Sequence, residues 1–399
     1  MAASADMAVT RFQLRRGGTA DGFDPWIEII ADAFRHNVGE TARLAGGTRL
    51  MAVIKNNAYG LGDQVVGPIV DACAEVAAIA CTRVAEALAL RAAGVTKPIL
   101  LMAETSTQEM VELARHAVWP SVWLDDALQR LTIASRQLGR PIAVHACLDA
   151  GMGREGMPLS RARPFIESLC QSPASVTLVG TYITFPHVLE LDREILARFL
   201  SFVADARRDG LDLGLLHAAP SFEILYLPAS RFDLVRPGAL LFGNYRKQPE
   251  LTEVPDLHCV FRLCARVVRL ERLRVGDTAN FRRGYVAKRP TWVALVPVGH
   301  TDGYPATASN TCKVRIRERL FPVVGEVSSS HVIIEIGDTR SVEVGDVVTL
   351  IGPDAPEITP HAIAEKSGIA FYHMITRLSP LLPKQVVSPL RNDRGTDSG

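Results

Sequence analysis

Between residues 48 and 243 the chain repeats one pattern eight times: a short apolar, β-branched run, followed in most cases by a longer segment with helical spacing. The runs are TRLMAVIK (48–55), VAAIAC (76–81), KPILLMAE (97–104), VWPSVWL (118–124), PIAVHACLD (141–149), VTLVGTYITF (176–185), GLLHAAPS (214–221) and LVRPGALLFG (234–243). Several are apolar at consecutive positions, as a parallel strand covered on both faces requires. Segments such as TRVAEALALRAAG and REILARFLSFVADARR carry apolar residues every three or four positions and lie between them. Eight βα units predict an α/β fold, a (β/α)₈ TIM barrel, in which functional side chains gather at the C-terminal ends of the strands.

After about Asp256 the rhythm changes. CVFRLCARVVRL, TWVALVPVG, CKVRIRERLFPVVGEV, SHVIIEIG and VEVGDVVTLIG follow one another with short Gly, Asp or Pro turns, which predicts a β domain. The expected organisation is an N-terminal extension (1–25), the barrel (26–256), a C-terminal β domain (257–387) and a polar tail, SPLRNDRGTDSG (388–399). A chain of 399 residues has room for a barrel of about 250 and one smaller domain.

Composition narrows the partners. With 44 basic against 43 acidic residues there is no electrostatic footprint for nucleic acid or an anionic membrane, so a small molecule is expected. No run approaches the ~18 apolar residues of a membrane span. The first residues, MAASADMAVTRFQLRRGG, lack the apolar core of a secretory signal, and a cytoplasmic location is expected. Seven cysteines (73, 81, 147, 170, 259, 264, 312) without a CxxC pair predict free thiols and no metal site.

The first barrel run ends in AVIKNNAYGLG, which puts Lys55 at a strand end and Tyr59 one short loop away. A lone lysine at a barrel mouth is more often a solvated charge. This stretch, however, resembles the cofactor-bearing strand of the alanine racemases. The likeness returns in WIEIIADAFRHN (26–37), HACLDAGMGREG, APS (219–221), RFDLVRPGALLFG, VPVGHTDGYP and RLSPLLPK. Several motifs in one order are more specific than any alone.

The resemblance implies a pyridoxal 5′-phosphate (PLP)-dependent amino-acid racemase working by Cα proton transfer, with PLP held as an aldimine on Lys55. A desolvated lysine of lowered pKa can then act as a base. The resemblance also assigns PLP phosphate to Tyr59, Ser221, Tyr372 and the amides of Gly238 and Ala239. It sets Arg236 against the pyridine nitrogen; a guanidinium keeps its protons, so the ring stays unprotonated and a weaker electron sink, as suits proton transfer. An ion pair of Arg236 with Asp233 is the structural alternative. Arg154 matches the arginine at the substrate carboxylate, for which a guanidinium fork is suited. Cys147 stands where the family has a lysine that steadies this arginine. A homodimer with shared active sites is implied, each cavity completed by the Phe281 and Ser329 loops of the neighbour.

The substrate side departs from the pattern. Phe281 aligns with the family's second base, a tyrosine, and has no proton to exchange. Thr184 replaces a histidine, with His187 three residues on; His300 replaces a tyrosine; Ser329 and Ser330 replace Met-Asp; Pro220 replaces an asparagine. Proton exchange at Cα is therefore expected to be one-sided unless Tyr285, Arg282, Arg283, His187 or His300 serves the second face. A PLP-dependent lyase (aldolase, β-eliminase or decarboxylase) on the same scaffold, or a PLP-binding protein without turnover, are the alternatives.

Overall fold

The computed structural model describes residues 22–387, so most of the N-terminal extension and the polar tail lie outside the described residues. All eight runs form strands: β2 (Arg49–Val53), β3 (Val76–Cys81), β4 (Ile99–Leu101), β5 (Val118–Val122), β6 (Ile142–Asp149), β7 (Val176–Tyr182), β8 (Leu215–Pro220) and β9 (Leu234–Arg236). They pair in parallel in the order β5-β4-β3-β2-β9-β8-β7-β6, and β5 pairs again with β6, closing the ring. This is the expected TIM barrel. Alternate residues fill its inside: Met51 and Val53, Ala78 and Ala80, Leu100, and Leu234 pack together within it. Their neighbours Leu50, Ala52, Ile79, Ile99 and Leu101 face the surrounding helices. Burying one such Leu or Ile contributes about 1.5–3 kcal/mol, and both sets are buried, which is why the sequence runs are apolar throughout.

One element departs from expectation. Trp26–Ile30, placed by the sequence within the barrel region, forms β1 of the second domain: it pairs antiparallel with β10 (Phe261–Arg266) and parallel with a strand at Lys384–Val387. The reason is pairing at long range. Arg262 of β10 is buried between Glu28 (3.1 Å) and Asp354 (2.7 Å), which ties β1 into that sheet. The chain then crosses to the barrel as helix Ala31–Leu44, which covers the end of the last βα unit: Phe34 meets Phe242 edge-on at 5.3 Å, and Asn37 Nδ2 donates to the Leu241 and His258 carbonyls. The second domain is a nine-stranded sheet, as its turn-rich sequence predicts. All seven cysteines are free, and Cys73, Cys81, Cys147, Cys264 and Cys312 are buried. Among the described residues no helix is long and apolar enough to cross a membrane.

Candidate active site

The C-terminal ends of the barrel strands open into a cavity of about 860 Å³, lined among others by Lys55, Tyr59, Arg154, Ser221, Arg236, Gly238, Ala239 and Tyr372. Eight of the ten side chains singled out from the sequence thus share one space.

A left-handed turn brings Lys55 and Tyr59 there. Asn56, Asn57, Ala58 and Tyr59 all have φ between 49° and 54°, a run that L-residues avoid at roughly 1–2 kcal/mol each. Three contacts hold it: Tyr59 N–H donates to Lys55 O (2.8 Å), Asn56 N–H to Glu86 Oε1 (2.7 Å), and Gly60, at φ 91°, lies so close to Ile375 that a Cβ would fall 2.2 Å from its carbonyl oxygen. Strain of this kind collects where a side chain must be aimed. The Lys55 amine is drawn below the ordinary lysine value of 10.5, first by burial and then by the Arg154 charge, with Glu155 and Glu86 opposing.

Opposite the turn, β8 ends at Ser221, whose hydroxyl accepts from the amides of Gly238 (3.0 Å) and Leu240 (3.3 Å). The Tyr59 ring packs on Phe242 (4.2 Å) and Tyr372 (4.9 Å). Its hydroxyl abuts Gly238, where a Cβ would sit only 2.2 Å away. Hydroxyls and amides converge here without a formal charge, a cradle for an oxyanion. Gly238→Ala is expected to push the Tyr59 phenol aside at about 1–3 kcal/mol and so to weaken any oxyanion binding in this cradle about 10- to 100-fold. A titration of the apo-protein with inorganic phosphate or with the cofactor checks this; unchanged affinity would show that Gly238 is only a turn residue.

Arg236 is buried and all four of its terminal N–H groups are used. Nη1 donates to His217 Nδ1 (2.7 Å) and His217 O (2.9 Å), and Nη2 to the carbonyls of Ile183 (2.6 Å) and Ala218 (3.2 Å), with Thr184 Oγ1 at 3.3 Å. No ion pair with Asp233 forms; that carboxylate accepts from Leu216 N–H (2.7 Å). Only Nε–H is left for the cavity, which Arg236 lines. Because a guanidinium cannot accept, His217 Nδ1 must, so its Nε2–H donates to His145 Nδ1 at 2.9 Å. Burial, then the Arg236 charge, hold both imidazoles neutral, His145 down to about 3.

Arg154 stands on the DAGMGREG loop, which Asp149 fastens by accepting from the amides of Gly151 (2.8 Å), Met152 (2.8 Å) and Gly153 (3.2 Å). With this geometry, two sequence profiles cover the chain in succession: the alanine racemase N-terminal domain matches residues 29–246 and the C-terminal domain residues 260–386. This chain belongs to the alanine racemase family. It is 34% identical over 355 residues to the alanine racemase of Syntrophobacter fumaroxidans, covering 88% of this chain and 94% of that one. To the Geobacter sp. (strain M21) alanine racemase it is 32% identical over 361 residues, covering 88% and 94%. Among solved structures it superposes on the alanine racemase of D-cycloserine producing Streptomyces lavendulae with a TM-score of 0.82 at 27% identity, covering 92% and 98% of the two chains. The Bacillus anthracis alanine racemase with bound L-Ala-P gives 0.79 at 27% identity, covering 92% and 95%. It is thus an alanine racemase-like protein of a PLP-dependent isomerase family.

Against the alanine racemase pattern the structure places the remaining residues as follows. Cys147 is buried, its thiol pushed up to about 12 by burial, so it offers Arg154 no charge. Arg154 is half-exposed and pairs with Glu155 at 2.5 Å instead. Phe281 and Ser329 do not line this chain's cavity; Phe281 is 68% exposed on a turn of the second domain, and Ser329 is exposed beside Thr301. Of the substitutes named for the second base, His187 lines the cavity, while Tyr285, Arg282, Arg283 and His300 do not. Sequence reasoning missed His145, His217, Glu223 and Asp192, all buried. The histidines take inward positions of β6 and β8, alternating with the outward-facing Val144 and Ala146 and Leu216 and Ala218, a signal that was available; the two carboxylates sit in segments of ordinary helical pattern.

Proposed function

We propose that this chain is an amino-acid racemase using PLP, in which Lys55 exchanges the proton on one face of Cα. What carries the reading is the convergence on one cavity of a lysine of lowered pKa, a guanidinium with one N–H unspent and a neutral oxyanion cradle. These donors fit PLP: Tyr59, Ser221, Tyr372 and the amides of Gly238 and Ala239 would take the phosphate, Arg236 Nε–H the ring nitrogen, and Lys55 the aldehyde carbon. When bound, PLP supplies an electron sink that acidifies the Cα hydrogen of an amino acid. Arg236, which keeps its protons, would donate to the ring nitrogen rather than protonate it, which would limit that sink and favour return of the proton to Cα. The Arg154 fork binds the substrate carboxylate, and the buried Lys55 amine, its hold on the proton weakened by burial and the Arg154 charge, takes or gives the proton on its own face.

On this reading Phe281 stands where the relatives' second base would be, and the protein is a homodimer whose Phe281 and Ser329 loops close the neighbour's cavity. The barrel region 26–256, less β1, carries the cofactor residues other than Tyr372, and 257–387 carries the closing loops. The test is a deuterium wash-in with a panel of D- and L-amino acids, alanine first. At least one antipode of one amino acid is expected to exchange its Cα hydrogen. A protein that retains PLP yet exchanges no antipode of any amino acid would be a carrier rather than an enzyme.

A further inference from the structure

The loop after β7 carries a cluster that the reading above leaves unused. His187 has φ 62°, a left-handed conformation that costs a non-glycine residue free energy and is kept only where the surroundings enforce it. Its Nδ1 lies 2.9 Å from Glu223 Oε1, and its ring packs on Phe222 at 5.5 Å. Glu223 is fully buried in the helix Ser221–Tyr226, and its other oxygen, Oε2, has no hydrogen-bond partner among the described residues. Next to it, Asp192 in the first turn of the helix Leu189–Arg208 is also fully buried, with both oxygens unpartnered.

We infer that His187, Glu223 and Asp192 form the acid–base relay that serves the Cα face turned away from Lys55, in place of the proton that Phe281 lacks. The inference rests on the racemase reading. Geometry supplies the first argument. With Nδ1–H donated to Glu223, Nε2 is the free nitrogen of His187, and the residue lines the same cavity as Lys55. His187 follows β7, which β8 and β9 separate from β2, so it approaches the barrel mouth from a different side than Lys55 does. Arg154 lines the same cavity, and its charge lowers both groups.

Chemistry supplies the second. Burial pulls the His187 pKa down, but the Glu223 hydrogen bond and charge, with help from Asp192, outweigh burial and the Arg154 charge and leave it raised. The raised pKa enlarges the protonated fraction of His187, the form that can donate. Asp192 is pushed up to about 6, first by burial and then by the neighbouring Glu223, so a carboxylate that holds its proton more tightly than usual backs the pair. Glu223 and Asp192 touch no substrate; they position His187 and set its affinity for the proton. The facing charged groups are thus Glu223, Asp192 and Arg154. In one direction Lys55 takes the Cα proton on its face and His187 Nε2 gives its own to the other; in reverse the roles exchange. No electrons are transferred and the proton count is unchanged.

The test follows Cα deuterium exchange of both alanine antipodes by the PLP-loaded enzyme, and separately the His187 titration by NMR in the full-length protein before loading. The native protein is expected to exchange both antipodes. His187→Asn lowers exchange of the antipode whose hydrogen faces away from Lys55 by about 10²-fold or more and leaves the other within about threefold. Phe281→Tyr in that background restores part of the loss. Glu223→Gln lowers the His187 pKa by about one unit or more, a shift that a merely structural contact would not give, and Asp192→Asn shifts it less. Undiminished exchange of both antipodes by His187→Asn overturns the relay and leaves the racemase reading standing. So does native protein that exchanges only the Lys55-facing antipode, or a His187 pKa indifferent to Glu223→Gln. Native protein exchanging neither sinks both.

Discussion

Lys55→Ala abolishes measurable racemisation, a loss of more than about 10³-fold, and with it the covalent retention of PLP. A general base alone is worth about 10²–10⁴-fold, and on the proposed reading the same amine also holds the cofactor. Borohydride reduction and peptide mapping of the native protein are expected to place the pyridoxyl group on residue 55; a label on any other lysine, or an active Lys55→Ala enzyme, refutes the assignment. Stability gives an independent sign. Burial and Arg154 lower the folded-state pKa of Lys55 below 10.5, so between the two values the unfolded chain binds more protons than the native one. Stability of the apo-protein therefore rises with pH through that window. Lys55→Met removes this slope and raises the apo-protein's melting temperature at neutral pH, which calorimetry across pH values measures. A protein whose most informative lysine destabilises its own cofactor-free fold is behaving as a binding site does.

The barrel was legible because its strands are buried on both faces. Leu50 to Ile54 and Ile79 to Cys81 have no solvent side, so the sequence has no polar alternation to blur them. The candidate cofactor residues were legible through their resemblance to the family's motifs, and at two of those motifs, around Gly60 and Gly238, the backbone leaves no room for a Cβ. What was hidden depends on distant partners. Trp26–Ile30 reads like any short strand, and it is β10 with Arg262 and the strand Lys384–Val387, all more than 200 residues on, that draw it out of the barrel. Ala58 and Tyr59 have no local preference for the left-handed region; Glu86 and Ile375 impose it. Glu223 and Asp192 look like solvated helix faces, since a sequence does not tell a carboxylate turned to water from one turned to a histidine across a cavity wall.

Two separately inactive chains regain about a quarter of native activity when mixed, if neighbours complete each other's cavities. Phe281 protrudes from its own domain, 68% exposed and away from its own Lys55 cavity, on a turn that Asn280 fixes by accepting from Phe281 N–H at 2.7 Å. Val275 and Val286 on the same hairpin are also exposed, an apolar edge suited to a partner. In such a shared cavity Phe281→Asp would bring a carboxylate near the substrate-binding Arg154, where it would compete with the substrate carboxylate, and activity is expected to fall by about 10²-fold or more. Lys55→Ala inactivates the chain by the other route. In a mixed dimer one cavity carries both defects and its twin carries neither. Random reassortment makes about half of the dimers mixed, so about a quarter of all sites are intact. Subunit exchange is confirmed by mass spectrometry before turnover is measured. No recovery in demonstrably mixed dimers, or full turnover by a monomer at micromolar concentration, would show that each chain works alone and that Phe281 does not complete a neighbour's cavity.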